Sequence, residues 1–410
     1  VYDSSWQSGS EPVEAQKITN PGEIGFLAFT LKAPPQKGTY TAHFQLFANN
    51  QPIDNGQVDI PITVTADGVI DNPVVTTPST PSSPTMPSSP ASYPPPASVV
   101  LGQPLPPAFA TIPSLGAALP PEPMIRVGLF ATTDNQMMVT SLSGGFALQQ
   151  NGSQICHFTA GQVVTVLYDR THHVSKATGP NCTSQSDGVY VTVADDRISP
   201  LQMTDFSRPV SWLPGANDNT FRGSLELRYT PASDEVWVIN ELPIEWYLKG
   251  IGETSNSSPM EYQKALLTAA RTYAMYHVAH ETKHADQSFT VDASLDQVYR
   301  GYGAEIRDPN VVAAVDATRG QIVTYNNALA LTPYYSRSDG RTRSWTEVWG
   351  GSGFPWLVSV KVPWDAGKTL WGHGVGMSAT GALGAANDGW MFDHILNYFY
   401  TGTGLQRIYQ

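Results

Sequence analysis

Apolar and polar positions alternate in "GFLAFTLKAP", "GTYTAHFQLFA" and "GQVDIPITVT", which predicts strands over the first 66 residues. Gly, Pro and Asn separate these runs as turn residues, a pattern that fits a small β-sandwich over residues 1–66. Over residues 67–122 the periodicity stops. "TTPSTPSSPTMPSSPASYPPPAS" and "GQPLPPAF" hold too few apolar positions to build a core, and they read as a semi-extended Pro/Ser/Thr-rich linker. Strand patterns return with "IRVGLF" and continue through "FALQQ", "VVTVLY", "GVYVTVA", "GSLELRY" and "VWVINELP". After "IEWYLKG" the period changes. Leu266, Ala270, Tyr273 and Ala274 recur at helical spacing, as do Ala269, Thr272 and Tyr276. Ser258-Pro259-Met260-Glu261 reads as a capping box, so the predicted helix runs from Pro259 to about His280. "GQIVTY" and "LVSVKV" add strands, and "FDHILNYFY" adds a short helix. The expected fold of residues 123–410 is α+β, a mixed sheet with one long helix, preceded by the all-β module and the linker.

Composition narrows the function. Charged residues make up 14% of the 410 and the net charge is -12, which argues against nucleic acid and anionic membrane surfaces as partners. Low charge with many Gly, Pro, Thr and aromatic residues points to an extracellular β-rich protein. No run of about 18 apolar residues occurs, so no membrane span is expected. "VYDSSWQSGS" has neither a basic nor an apolar leader segment and reads as the start of a mature product. Cys156 and Cys182 suit one disulfide in an oxidising compartment. Two buried thiols are the alternative, and a zinc site with His172 and His173 is a weaker one, because no C-x-x-C pair is present.

Three stretches could carry chemistry. In "GIGETSN", Glu253 stands beside Gly250 and Gly252, just ahead of the helix. Glycines there let a substrate approach closely, although a lone loop Glu is more often a solvated one. "YYSRSDGRTRSWTEVWGG" combines hydroxyls, Arg and Trp, groups that bond and stack on sugars, or that line a polar turn. "WGHGVGMSATGALGAANDG" is an open glycine loop offering His373 and Ser378; it lacks the endings of a P-loop or a nucleophile elbow.

Several of these segments occur in a telling order: "VINELPIEWYLKG", the Glu-containing loop, "SPMEYQKALLTAARTYA", "DQVYRGYG", "AVDATRGQIVTYN", "YYSRSDGRT", "GHGVGMSATGALGAANDG" and "ILNYFYTGTGL". From about residue 125 onward the chain resembles the SpoIID/LytB family of stage II sporulation protein D and amidase enhancers. The segment "PGEIGFLAFTLKAPPQKGTYTAHFQLF" loosely resembles an Ig-like four-tryptophan (next-to-BRCA type) domain, with only Trp6 of its tryptophans visible. The SpoIID resemblance implies action on bacterial peptidoglycan, by a lytic transglycosylase or by a non-catalytic enhancer of a cell-wall amidase. It places the catalytic acid at Glu253, in a loop shorter than the usual one. It places glycan contacts at Arg271, Tyr273, Ser336, Ser338, Arg341, His373 and Ser378, with Asp339 where the family has Gly. A Cys pair that holds metal in some relatives falls on Val291 and Asp296, so no metal or other cofactor is implied.

"HETKH" offers a rival reading. His280, Glu281 and His284 satisfy H-E-x-x-H, the pattern of a zinc hydrolase. A working site needs a continuing helix and a third ligand, whereas here the helix is ending. The expectation is therefore a secreted or wall-anchored lytic transglycosylase, with peptidoglycan glycan strands as substrate and Glu253 as the acid/base. The amidase enhancer is the alternative and the zinc hydrolase the weaker third.

Overall fold

The computed structural model describes residues 38–48, 51–64, 120–280 and 283–409. The chain divides into two compact units, residues 1–93 and 94–410. Within the first, the strands Gly38–Ala48 and Gln51–Val64 form one antiparallel hairpin. The rest of the expected sandwich, and the linker up to residue 119, lie outside the described residues.

The second unit begins with two antiparallel sheets. One has seven strands, with Met124–Ala131, Glu235–Pro243, Ser224–Thr230, Tyr190–Ala194, Phe146–Gln150 and Ser153–Phe158 in spatial order; Val291–Asp292 adds in parallel at its near edge. The other has six, with Thr220–Phe221, Leu201–Met203, Gln136–Ser141, Val164–Asp169, Val174–Gly179 and Cys182–Ser186 in order. Inward-facing Val127, Leu129, Met137, Val139, Phe146, Phe158 and Val166 alternate with more exposed neighbours and share one core. The sulfurs of Cys156 and Cys182 are bonded to each other, with Cα atoms 6.0 Å apart, and so tie the far edge strands of the two sheets together.

Helices follow: α1 (Ile244–Lys249), α2 (Met260–His280), α3 (Tyr302–Arg307), α4 (Pro309–Ala317), α5 (Trp345–Trp349), α6 (Ala379–Asn387) and α7 (Phe392–Phe399). Helix α2 is buried nearly all round. Leu267, Ala270 and Ala274 face the core under the sheets. Tyr262, Ala265, Leu266, Ala269 and Tyr276 face a second core with Ile322, Trp356, Met377, Ile395 and Phe399. That explains two apolar stripes in one helix: a helix between two cores has no polar face to show. Glu261 does more than begin the helix; its carboxylate pairs with Lys264 and accepts the Phe392 N–H at 2.9 Å, joining α2 to α7.

Small sheets complete the C-terminal part. Ala328–Leu329, Gln321–Tyr325 and Gly404–Arg407 make one; Tyr334–Tyr335 and Met377–Ser378 pair in parallel in the other. Glu122, read from sequence as the last linker residue, is integrated with the fold: it accepts the Glu245 N–H at 2.7 Å and pairs with Arg319. Among the described residues, no helix is long and apolar enough to cross a membrane.

Candidate functional site

Glu253 lies in the loop between α1 and α2. Ile251 bridges to Tyr299, and the Gly252 N–H bonds the Val298 carbonyl at 2.8 Å, so the loop rests against the segment 296–299. The closeness depends on glycine: a Cβ on Gly250 would come within 2.5 Å of the Tyr299 ring. The Val298 N–H donates to Glu253 Oε1 at 3.0 Å, and the Tyr334 hydroxyl donates to Oε2. Gln297 Nε2 donates in turn to the Tyr334 oxygen at 2.9 Å, and the Tyr247 hydroxyl donates to Gln297 Oε1 at 2.8 Å. A chain of hydrogen bonds thus runs from the interior to the carboxyl group.

This setting changes the acid. Burial pushes the Glu253 carboxyl up from 4.5 to about 7, while the bonds from Tyr334 and Val298 pull it part of the way back. A carboxylic acid near pH 7 can both give and take a proton, as a general acid/base must.

His373 supports the same place. Its Nε2–H donates to the Tyr334 carbonyl at 3.1 Å, and its Nδ1 accepts the Val375 N–H at 3.1 Å. Burial lowers its pKa to about 4, so the ring is neutral and serves to position Tyr334. An arc of rings begins at Tyr335, 5.4 Å from His373, and passes to Trp349 at 5.1 Å from His373. It continues through Trp345 and Phe354 to Tyr276 on α2, with centroid steps of 4.5, 4.3 and 6.5 Å. His277 and Tyr273 end it, 4.5 Å apart. Trp349 is 41% exposed and Trp371 67%.

The other predicted residues separate into two groups. Tyr273, Ser336, Arg341 and His373 are at least partly accessible. Arg341 is paired with Glu347 at 2.6 Å, and Asp339 is matched by Arg343 at 2.7 Å. Arg271, Ser338 and Ser378 are fully buried. Arg271 forms a two-pronged pair with Glu245, at 2.9 and 2.8 Å, and also bonds Thr318, Gln321 and Val315. Burial raises the Glu245 carboxyl, but the Arg271 charge and the bonds from Tyr409 and Gly320 outweigh it and hold it below the usual range. Ser338 and Ser378 both donate to Asp365 Oδ2, at 2.8 and 2.6 Å, and Thr380 donates to its Oδ1 at 2.6 Å. Their hydroxyls therefore hold two loops together around one buried carboxylate, and Arg271 braces α2; none of the three reaches a surface where a ligand could touch it.

The described histidines of these motifs bond to different partners. His280 Nδ1 contacts its own helix at the Tyr276 carbonyl, 2.7 Å away. His284 donates from Nε2 to Asp296 at 2.8 Å and from Nδ1 to Gln287 at 2.7 Å. Burial lowers its pKa, but the Asp296 bond and charge outweigh that and raise it. Glu281 is outside the described residues. The Cys156 and Cys182 sulfurs bind each other, and His172 pairs with Asp169, so those residues do not form the weaker zinc set either. Among the described residues, no three His, Cys, Asp or Glu groups are placed to hold a metal ion. Val291 is buried in the parallel edge strand, and Asp296 pairs with Lys283 and His284.

Sequence reading missed Tyr334, Gln297 and Asp365. "DQVY" and "YYS" were visible as segments, but nothing local marks a Gln or a Tyr as the partner of an acid far away in the chain.

Comparison with known proteins places these residues. The SpoIID family model, described as Stage II sporulation protein, matches residues 232–325, a span that runs from the strand before α1 through Glu253 and α2 to Tyr325. Stage II sporulation protein D of Bacillus subtilis is 30% identical over 162 residues, covering 35% of this chain and 47% of that protein. The amidase enhancer of Bacillus subtilis is 36% identical over 122 residues, 30% of this chain and 14% of that protein. An uncharacterised protein of Brachyspira hyodysenteriae is 40% identical over 138 residues, 33% of this chain and 36% of that one. The chain thus spans less than half the length of each of these relatives. The protein carries a SpoIID domain, with Glu253 inside it, and is homologous to stage II sporulation protein D and to the amidase enhancer.

Proposed function

We propose that this protein is a peptidoglycan lytic transglycosylase that cuts the bond between MurNAc and GlcNAc with Glu253 as its acid and base. The observation that carries the reading is the carboxyl group of Glu253, raised to about 7 and held by Tyr334 and the Val298 N–H. Protonated Glu253 donates to the bridging oxygen as the glycosidic bond breaks. The resulting carboxylate then takes the proton of the MurNAc 6-hydroxyl, whose oxygen closes on the anomeric carbon and leaves a 1,6-anhydro sugar. This route needs one acid. The neighbouring carboxylate, Asp296, is bound by Lys283, His284 and the Asp292 N–H, which leaves it poorly suited to activate water. The aromatic arc with Trp349, together with Tyr273, Ser336 and Arg341, offers stacking and hydrogen-bonding groups for pyranose rings.

The test is digestion of purified glycan strands by wild type and Glu253→Gln, with product masses and binding read in parallel. We expect anhydro ends from the wild type. Glu253→Gln should turn over about 10²–10⁴-fold more slowly, the usual loss with a general acid/base, while keeping its affinity. Reducing-end products from the wild type, or undiminished cleavage by the variant, refute the mechanism.

Homology to the amidase enhancer favours a second reading, in which the same face binds glycan and stimulates a separate amidase. Binding without cleavage by the wild type, with stimulation of an added wall amidase, selects it. Both readings place the protein at the cell wall, outside the cytoplasm. We also assign the domains as residues 1–66, a linker, and a catalytic domain that starts by residue 122.

A further inference from the structure

We propose that Gln297 is the positioning residue that sets the direction of the hydrogen bond between Tyr334 and Glu253, making the Tyr334 hydroxyl an obligate donor to the acid. The inference deepens the glycan-cleaving reading above, and its first measurement does not depend on cleavage.

Gln297 lies behind the acid rather than in front of it. It is 1% exposed, whereas Glu253 and Tyr334 remain partly accessible. It therefore acts on a ligand only through the groups it touches. The turn that carries it is fixed on both sides. The Tyr299 N–H bonds the Ala293 carbonyl at 2.9 Å, and the Val298 carbonyl accepts the Gly252 N–H at 2.8 Å.

The direction follows from a carbonyl. Gln297 Nε2 lies 3.2 Å from the Ala270 carbonyl oxygen on α2 and 2.9 Å from the Tyr334 oxygen. A carbonyl oxygen can only accept, so the amide atom that faces it is the nitrogen, and turning the amide over would set two acceptors together. The opposite atom, Oε1, accepts the Tyr247 hydroxyl at 2.8 Å, in agreement with that orientation. Of the two N–H groups on Nε2, one goes to Ala270 and the other to the Tyr334 oxygen. The single proton of Tyr334 is then left for Oε2 of Glu253. With the amide reversed, Tyr334 could give that proton to Gln297 and accept one from protonated Glu253 instead. The next residue acts on the other oxygen, since the Val298 N–H donates to Oε1. Two consecutive residues thus supply donors to both oxygens, one directly and one through Tyr334. Donors favour the carboxylate, so the arrangement opposes the burial that favours the neutral acid.

Other ionisable groups face this place. Tyr247 on α1, Tyr262 and Tyr273 on α2, and Tyr334 all titrate above their usual range and stay neutral near pH 7. His277 and His373 are lowered to about 4 and are neutral there too, while Asp296 and Lys283 keep their charges. His284, raised from 6.5, lies nearest in range, so the acid has to be followed by its own signal.

The test follows the Glu253 carboxyl carbon by NMR through a pH titration, the signal being assigned by its loss in Glu253→Gln. Gln297→Met keeps the bulk and removes both N–H groups. We expect it to move the Glu253 titration up by about 0.5–1 pH unit, the differential worth of one hydrogen bond to the charged form. Gln297→Asn, whose amide is one methylene short, should give the same shift where Gln297→Met does not fold. Two controls separate direction from packing. Tyr247→Phe removes a buried hydrogen bond from the same amide but leaves both Nε2 bonds, and should leave the titration where it is. In a Tyr334→Phe background, Gln297→Met should move it no further. An unmoved titration in Gln297→Met, an equal shift from Tyr247→Phe, or a further shift in the Tyr334→Phe background overturns the positioning role. The alkaline limb of cleavage should move with the carboxyl. A shifted carboxyl with an unmoved cleavage profile supports the positioning role and overturns Glu253 as the acid.

Discussion

Glu253 shows how the surroundings of a single residue set its proton chemistry. Burial raises its pKa to about 7, and the donors Tyr334 and Val298 limit the rise. Two outcomes follow. Cleavage should fall as pH rises through about 7, where the acid loses its proton. Tyr334→Phe removes a donor to the charged form, so its pH–rate profile should lose activity at a higher pH than the wild type; an unmoved profile counts against the Tyr334 bond. Stability should show the same linkage. The native pKa lies above the unfolded one, so the contribution of Glu253 is full below the unfolded value of 4.5 and is lost as pH rises through about 7. Glu253→Gln is neutral throughout. It should exceed the wild type in stability at pH 8 by about 1–3 kcal/mol, with the gap closing towards pH 5, as read by denaturant titration at both pH values.

Among the elements, α2 carries the most consequence. It separates two cores, and its one buried cation, Arg271, is matched by Glu245 at the start of α1. Sequence resemblance implied a glycan contact at Arg271, whereas its position makes it a brace between α1, α2 and the strand Gln321–Tyr325. Removing one partner leaves the other charged and buried. Arg271→Ala should therefore destabilise the fold by about 3–5 kcal/mol, measured by chemical denaturation. Loss of activity with full stability would instead make Arg271 a ligand contact. The linkage has its own sign: Glu245 titrates below its usual range, so its contribution is present above the unfolded pKa and is lost as pH falls through the native one.

For the whole molecule, the disulfide and the two cores set the limits of what folds alone. All residues of both cores lie between Ile125 and Tyr409. A protein made of residues 120–410 should melt at the same temperature as the same unit in the full chain, and a markedly lower value would show that the N-terminal module supports it. Cys156 and Cys182 are 26 residues apart and join the edges of two sheets. Replacing both by Ser should cost about 2–4 kcal/mol on the loop-entropy account, read from the denaturation midpoint of the oxidised protein against the variant.

What the sequence determined by itself was whatever repeats over short distances. Strand alternation in "IRVGLF" and "VWVINELP", and the long helix through "AARTYAMYH", are legible because burial on one or two faces writes a period into neighbouring residues. Glu253 could be singled out by its glycines and by resemblance, but not its chemistry. The Val298 N–H that holds it is 45 positions away and the Tyr334 hydroxyl 81, and no local pattern records such distances. Likewise Ser338 and Ser378 look like ligand hydroxyls in a polar loop, and only packing turns them inward onto Asp365. The tertiary structure decided these matters because a pKa and a hydrogen bond depend on which distant groups exclude water from the same few ångströms.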